Sequence, residues 1–249
     1  MPLTVHQFPC LSDNYGFLAR DEATGKVATI DTPDADAILA ELDTLGWSLD
    51  LILNTHWHPD HAGGNAALKK ATGAMIAGPA EVTRIAPLDR VLRGGDVAPL
   101  GETRFEVIDS GGHTLGHIAY HDAADGIAFV GDTLFALGCG RLFEGTPEQM
   151  WASLSRVTAL PDDTTVYCAH EYTASNARFA LSVDDDPALK ARADAVFAAR
   201  ERGEPTVPTT IGAEKATNPF LRAPLLRPSA PTPAQAFAKI RAAKDSFKG

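Results

Sequence analysis

The chain has 249 residues, of which 45% are apolar and 22% charged, the composition of an ordinary globular protein able to bury a sizeable core. No apolar run approaches the ~20 residues that cross a bilayer. The start, Met1-Pro2-Leu3-Thr4-Val5-His6, lacks the basic residues and apolar stretch of a secretory signal. The net charge of −10 is uneven: residues 215–249 carry Lys215, Arg222, Arg227, Lys239, Arg241, Lys244 and Lys248 against Asp245 alone, a balance of +6, so the remainder is −16. An acidic body excludes the broad positive face that nucleic-acid binding needs. Cys10, Cys139 and Cys168 are too few and too scattered for a disulfide framework, and a reducing cytoplasm is expected.

In chain order, strands are predicted over Tyr15–Arg20 and Val27–Asp31, a helix over Ala35–Leu45, a strand over Asp50–Asn54, a helix over Asn65–Ala71, and strands over Ala74–Ala77, Arg104–Ile108, Ile118–Tyr120 and Ile127–Val130. A helix over Pro147–Ala159 has Thr146 as its cap, Pro147 in its first position and Gln149 completing a capping box. A strand follows over Thr165–Cys168. Beyond His170 the texture changes to helices over Ser175–Ser182 and Pro187–Arg202, a Pro-rich stretch, and a last helix over Thr232–Asp245 with Thr232 capping and Pro233 first. The expectation is an α/β body over residues 1–172 and a helical domain over residues 173–249.

Four predicted strands lead into a potential metal ligand: His56, His113, Asp132 and His170. The first opens the sequence His56-Trp57-His58-Pro59-Asp60-His61 on a strand-to-helix connection. An H-x-H pair alone is weak evidence; H-x-H-x-D-H is far more specific. His56, His58, Asp60, His61, His113, Asp132 and His170 make seven imidazole and carboxylate donors, suited to Zn, Fe or Mn. One structural zinc takes four, so seven suit two ions bridged by a carboxylate.

Thr55-His56-Trp57-His58-Pro59-Asp60-His61 resembles the signature of the metallo-β-lactamase superfamily. Gly131-Asp132-Thr133, Gly138-Cys139-Gly140-Arg141, Cys168-Ala169-His170-Glu171-Tyr172, Asn218-Pro219-Phe220 and Lys244-Asp245-Ser246-Phe247-Lys248 are similar to glyoxalase II, the hydroxyacylglutathione hydrolases, over the whole length. The resemblance implies an αβ/βα sandwich followed by a helical domain. It implies two divalent cations, zinc before iron or manganese: one held by His56, His58 and His113, the other by Asp60, His61 and His170, with Asp132 bridging. It implies hydrolysis of S-D-lactoylglutathione by a hydroxide that the metals hold, with Asp60 and Asp132 as the catalytic carboxylates. Arg141, Phe143, Tyr172, Arg241 and Lys244 would contact the glutathione moiety. Arg141 replaces a lysine, and Phe143 a tyrosine, found in some relatives. A monomer acting on a small thioester is expected, without nucleic acid or membrane.

The alternative is a glutathione persulfide dioxygenase with a single iron. The second ligand set and the basic last helix argue against it. Asp31, at a strand end, reads equally as a turn residue or as an acceptor orienting a metal-bound histidine. His6, His117 and His121 read as surface or packing histidines, and Trp57 as packing.

Overall fold

The computed structural model describes residues 2–248. The chain divides into two compact units, one running to Asp109 and adding Gly116–Gly131, the other made of Ser110–Leu115 and everything from Asp132 onward.

The first unit holds β1 (Leu3–Cys10), β2 (Asn14–Asp21), β3 (Val27–Ile30), α1 (Ala35–Leu45), β4 (Leu49–Leu53), α2 (Pro59–Ala62), α3 (Asn65–Thr72), β5 (Met75–Gly78), a 3-10 turn (Ala80–Arg84), β6 (Arg90–Val91), β7 (Val97–Leu100), β8 (Thr103–Asp109), β9 (Ile118–Asp122) and β10 (Ile127–Gly131). β1 through β6 form one sheet in chain order. Its first three strands pair antiparallel and β3 to β6 pair parallel. Parallel neighbours need crossovers, which α1 supplies between β3 and β4, α2 and α3 between β4 and β5, and the segment with the 3-10 turn between β5 and β6. β7 to β10 form an antiparallel meander. Phe17 of the first sheet meets Phe129 of the meander at 5.7 Å between ring centroids, and Phe129 packs on Phe105 at 6.1 Å. Phe105, Tyr120 and Phe129 are almost wholly buried, each contributing about 1.5–3 kcal/mol by removal from water. A second core lies under α1 and α3, where Ile38, Leu42 and Leu68 pack on Ile52 and Ile76.

α1 starts where Asp34 accepts from the backbone N–H groups of Asp36 and Ala37, and it stops at Gly46 in the left-handed region. β1 and β7, both at sheet edges, are absent from the elements predicted above. β1 buries only three of its eight residues, so its alternation is faint. β7 contains Pro99, which an edge strand tolerates because no ladder hydrogen bond is lost.

The second unit holds β11 (Leu134–Phe135), β12 (Gly138–Cys139), α4 (Pro147–Val157), β13 (Thr165–Cys168), α5 (Thr173–Val183), α6 (Pro187–Glu201), β14 (Thr209–Thr210), α7 (Ile211–Thr217), α8 (Ala223–Leu226) and α9 (Pro233–Asp245). The capping box of α4 forms as its sequence requires, with Thr146 and Gln149 each accepting from the other's backbone. Thr232 caps α9 by accepting from the Gln235 N–H. α7 and α8 were not predicted: both are short and lie in the Pro-rich stretch, where Pro224 enters the first turn of α8. β11 and β12 pair across a two-residue loop, Ala136-Leu137. Leu137 lies in the left-handed region at φ 57°, costing roughly 1–2 kcal/mol. Its fully buried side chain packs with Ala177, Ala180, Leu189, Ala193 and Val196 of α5 and α6, offsetting that strain.

Candidate metal centre and substrate cavity

In the first unit the ligand-rich loop leaves the carboxyl end of β4, where open α/β sheets present their binding sites. Side chains beneath it fix its path. Asn54 donates to the His61 carbonyl at 2.9 Å, and Asn65 donates to the Asn54 side chain at 2.7 Å. The Thr32 N–H donates to the same His61 carbonyl at 2.8 Å. α2 is a single turn carrying Asp60 and His61. It closes on Gly63, where a Cβ would lie 2.3 Å from the Pro59 carbonyl oxygen, so no larger residue fits.

Asp31 organises the imidazoles. Its carboxylate accepts from the Thr55 N–H (2.7 Å), the Thr55 hydroxyl (2.7 Å) and His61 Nδ1 (2.9 Å). A carboxylate accepts, so His61 carries its proton on Nδ1 and presents a lone pair at Nε2. The Thr55 hydroxyl spends its proton on Asp31, so at 3.0 Å it accepts from His56 Nδ1, and His56 too presents Nε2. That Nε2 lies 3.0 Å from His58 Nδ1, and His61 Nε2 lies 3.4 Å from Asp60 Oδ2. Ligand atoms of Asp31, His56 and His61 all fall within 4.8 Å of one another.

In the second unit, the His113 carbonyl accepts from the N–H groups of Phe143 (3.2 Å) and Glu144 (3.3 Å). His113 Nδ1 donates to the Arg141 carbonyl at 2.9 Å. A carbonyl also only accepts, so Nε2 again bears the lone pair. It faces Asp132 Oδ2 at 3.3 Å, while His170 Nε2 faces the other oxygen, Oδ1, at 3.3 Å. Asp132 thus offers one oxygen to each of two imidazoles. Gly140 lets the chain pass beside it, since a Cβ there would lie 2.0 Å from the Asp132 carbonyl oxygen.

These donors fit divalent cations. Two donors each about 2.0–2.1 Å from one tetrahedral ion lie about 3.3 Å apart, and the four separations above run from 3.0 to 3.4 Å. A nitrogen lone pair aimed at a carboxylate oxygen repels it until a cation lies between them. The thiols are poor competitors: burial pushes Cys139 up to about 11, and Cys10 and Cys168 up to about 12, leaving no ready thiolate at neutral pH.

A cavity of about 490 Å³ lies in the second unit, lined by His113, Asp132, Arg141, Phe143, Tyr172 and Lys244 among others. Tyr172 stacks parallel on His170 at 4.7 Å, and Phe143 meets His113 edge-on at 5.2 Å. Lys244 donates to the carbonyl and hydroxyl of Ser175 at 3.1 and 3.3 Å. Burial lowers its pKa to about 8, aided by the charges of Arg241, Arg178 and Arg141.

A model described as the metallo-beta-lactamase superfamily matches residues 26–170, and one described as hydroxyacylglutathione hydrolase C-terminus matches residues 171–247. The hydroxyacylglutathione hydrolase of Erythrobacter litoralis is 55% identical over 98% of this chain and 100% of its own. That of Maricaulis maris is 57% identical over 98% of this chain and 99% of its own. The chain belongs to the hydroxyacylglutathione hydrolase family of the metallo-β-lactamase superfamily. Among solved structures, ETHE1 from Myxococcus xanthus is similar with a TM-score of 0.71 at 27% identity, over 96% of this chain and 90% of that one. A protein in a di-iron-bound form matches with a TM-score of 0.64 at 27% identity, over 88% of this chain and 100% of that one.

For a member of this family, the structure gathers His56, His58, Asp60 and His61 in one unit and His113, Asp132 and His170 in the other. All five expected substrate contacts, Arg141, Phe143, Tyr172, Arg241 and Lys244, line the one cavity. Arg241 is placed differently from a solvent-facing grip. It is 5% exposed, donates to Asp245 through Nε (3.0 Å) and Nη2 (2.7 Å), and donates to the Cys139 carbonyl through Nη1 (3.1 Å). Its guanidinium also lies over Phe220 at 4.9 Å. Asp31 emerges as an orienting acceptor. His117 is buried and stacks on His56 at 4.7 Å rather than lying at the surface, and His121 is also buried. Trp57 packs beneath Arg84 at 4.9 Å. Asn14, which donates to Asp60 Oδ2 at 3.2 Å, carried no signal in the sequence, because its partner is 46 residues away.

Proposed function

We propose that this metal-dependent hydrolase cleaves the thioester of S-(2-hydroxyacyl)glutathione, taking S-D-lactoylglutathione to D-lactate and glutathione. The observation that carries the reading is the Asp132 carboxylate, which turns one oxygen to His113 and the other to His170 beside a cavity lined by Arg141 and Lys244. His56, His58 and His113 would hold one cation, and Asp60, His61 and His170 the other, with Asp132 shared. Zinc is preferred over iron or manganese for this imidazole and carboxylate set. When bound, paired cations polarise a carbonyl and acidify a water to a pKa near ~7.

The chain's own residues do the rest. Asp31, Thr55 and the Arg141 carbonyl fix the tautomers of His61, His56 and His113, so each imidazole presents Nε2. Glutathione carries two carboxylates, and the cationic groups that line the cavity are Arg141, Arg241 and Lys244, with Tyr172 and Phe143 as flat walls. Burial of all three cysteines disfavours a thiolate nucleophile, and the attacking oxygen would come from solvent. A leaving thiol of pKa about 8.5 departs as thiolate without a general acid, which accounts for hydrolysis without a Ser-His-Asp arrangement. Residues 1–172 would carry the chemistry, and residues 173–249 would be the glutathione-gripping domain, supplying Arg241 and Lys244 alongside Arg141, Phe143 and Tyr172. The protein would act as a cytoplasmic monomer on a small thioester, without nucleic acid. Among the described residues no helix is long and apolar enough to cross a membrane.

The test is hydrolysis of S-D-lactoylglutathione by metal-loaded protein. Asp132→Ala is expected to lower turnover by at least on the order of a hundredfold, the scale on which removing a transition-state charge stabiliser acts. Unchanged turnover would remove Asp132 from the reaction.

A further inference from the structure

The β11–β12 hairpin runs between two parts of the proposed site. Asp132 lies two residues before it and Arg141 two residues after it. The hairpin has only two residues per strand, too few to hold its own shape. The helical part of the chain meets its remaining backbone polar groups almost one by one. The Leu137 N–H donates to Glu214 Oε2 at 2.9 Å. Asn218 Nδ2 reaches the carbonyls of Phe135 (3.2 Å) and Gly138 (2.9 Å) and also Glu214 Oε2 (2.9 Å). Asn176 donates to the Ala136 carbonyl at 3.1 Å.

Glu214 is the hub. Its side chain has no exposure at all, a setting in which a lone carboxylate is unstable. Its other oxygen, Oε1, accepts from the Thr209 hydroxyl at 2.6 Å and pairs with Arg192 Nη2. Arg192 is itself held by the Ala213 carbonyl (3.2 Å) and the Thr217 hydroxyl (2.6 Å). One oxygen is therefore neutralised by Arg192, and the other is aimed at the hairpin.

We propose that Glu214 is a positioning residue for the reaction: by accepting from the Leu137 N–H and from Asn218, it sets the hairpin that carries Asp132 at one end and Arg141 at the other. Glu214 touches neither substrate nor metal in this assignment. It couples α7 to the bridging ligand and to a cation of the substrate cavity. The inference rests on the functional reading above for the roles of Asp132 and Arg141.

Two paired variants separate positioning from a purely structural ion pair. Glu214→Gln with Arg192→Met removes both charges but leaves an amide oxygen for Leu137 and Asn218 and an NH₂ for Thr209. Glu214→Met with Arg192→Met removes the charges and the acceptor. Both are full-length, with thermal melts to establish the folded fraction. Zinc is titrated into the metal-free proteins against a chromophoric chelator, and kcat and KM are measured per folded molecule. The glutamine pair is expected to keep zinc affinity and KM within about threefold of the native protein. The methionine pair is expected to lose about 10–100-fold in zinc affinity, the range seen when a group orienting a metal ligand is removed, and to raise KM. Equal zinc affinity and KM in the two pairs would overturn the proposal. If neither pair folds, Asn218→Ala, which leaves the Arg192 pair intact, decides. The same loss of zinc affinity supports the proposal, and native affinity with native KM overturns it. The zinc titration reads out whether or not the native protein hydrolyses the thioester, so a failed functional assignment is distinguishable from a failed positioning role.

Discussion

Lys244 gives the substrate cavity a pH dependence that the structure sets in advance. Its ammonium is held at a pKa of about 8, first by burial and then by the nearby charges of Arg241, Arg178 and Arg141, with Asp245 opposing them. A carboxylate of the substrate favours the charged form, so the grip is present below pH ~8 and is lost above it. With a pKa of about 8, about nine-tenths of the free enzyme carries the charge at pH 7 and about one-tenth at pH 9. If only the ammonium form binds, KM rises roughly tenfold across that interval. The assay is thioester hydrolysis at constant ionic strength from pH 6.5 to 9.5, corrected for uncatalysed hydrolysis, with KM and kcat fitted separately. Lys244→Arg keeps its charge throughout and is expected to flatten the KM profile. Lys244→Gln is expected to start with a raised KM and to stay level. Linkage gives a second sign: the folded-state pKa lies below the ordinary 10.5, so folding penalises the ammonium. Its contribution to stability should therefore rise between about pH 8 and pH 10.5. A native KM that stays flat from pH 7 to 9, or a rise that persists unchanged in Lys244→Arg, would show that the Lys244 ammonium does not control binding over this range.

Asp31→Asn keeps the side chain's size but replaces one acceptor with a donor facing Thr55 or His61. Metal affinity is expected to fall about 10–100-fold and to be restored in part by excess metal. A chelator competition titration checks this, and native affinity would make Asp31 a turn residue. Arg241→Met removes the hydrogen bonds to Asp245 and to Cys139 and leaves the Asp245 carboxylate and the Cys139 carbonyl without this donor. A loss of about 2–4 kcal/mol in urea unfolding is expected, with KM raised as the Cys139–Arg141 segment loosens. Unchanged stability with a strongly raised KM would instead make Arg241 a direct ligand of the glutathione carboxylate.

The parts of this fold that the sequence makes legible are those whose determinants are local. α1, α4 and α9 carry their caps within a few residues of their first turn, and β3, β4 and β10 are short, mostly apolar runs, interrupted only by Thr29 and Asp50. His56 to His61 declare themselves because six adjacent positions hold four donors on a strand-to-helix turn. The edge strands β1 and β7 are harder to see because only one face is buried and pairing comes from elsewhere. α7 and α8 hide among prolines. The site is readable at the level of its ligands, but what orients them is not. Asp31 meets Thr55 and His61 across 24 and 30 residues, and Glu214 meets Leu137 across 77. Arg241 illustrates the limit from the other side. It lines the cavity, as its charge on the last helix leads one to expect, but its hold on Asp245, one turn onward, and on the Cys139 carbonyl, 102 residues away, shows only in the structure.

A metal titration of the metal-free protein, with thioester hydrolysis and oxygen consumption followed in the same samples, tests the paired-cation centre itself. Two equivalents of zinc per chain are expected, with hydrolysis reaching its plateau only at the second and no oxygen consumed. A plateau at one equivalent, or oxygen uptake by a one-iron form that leaves the thioester intact, would contradict a paired-cation hydrolase.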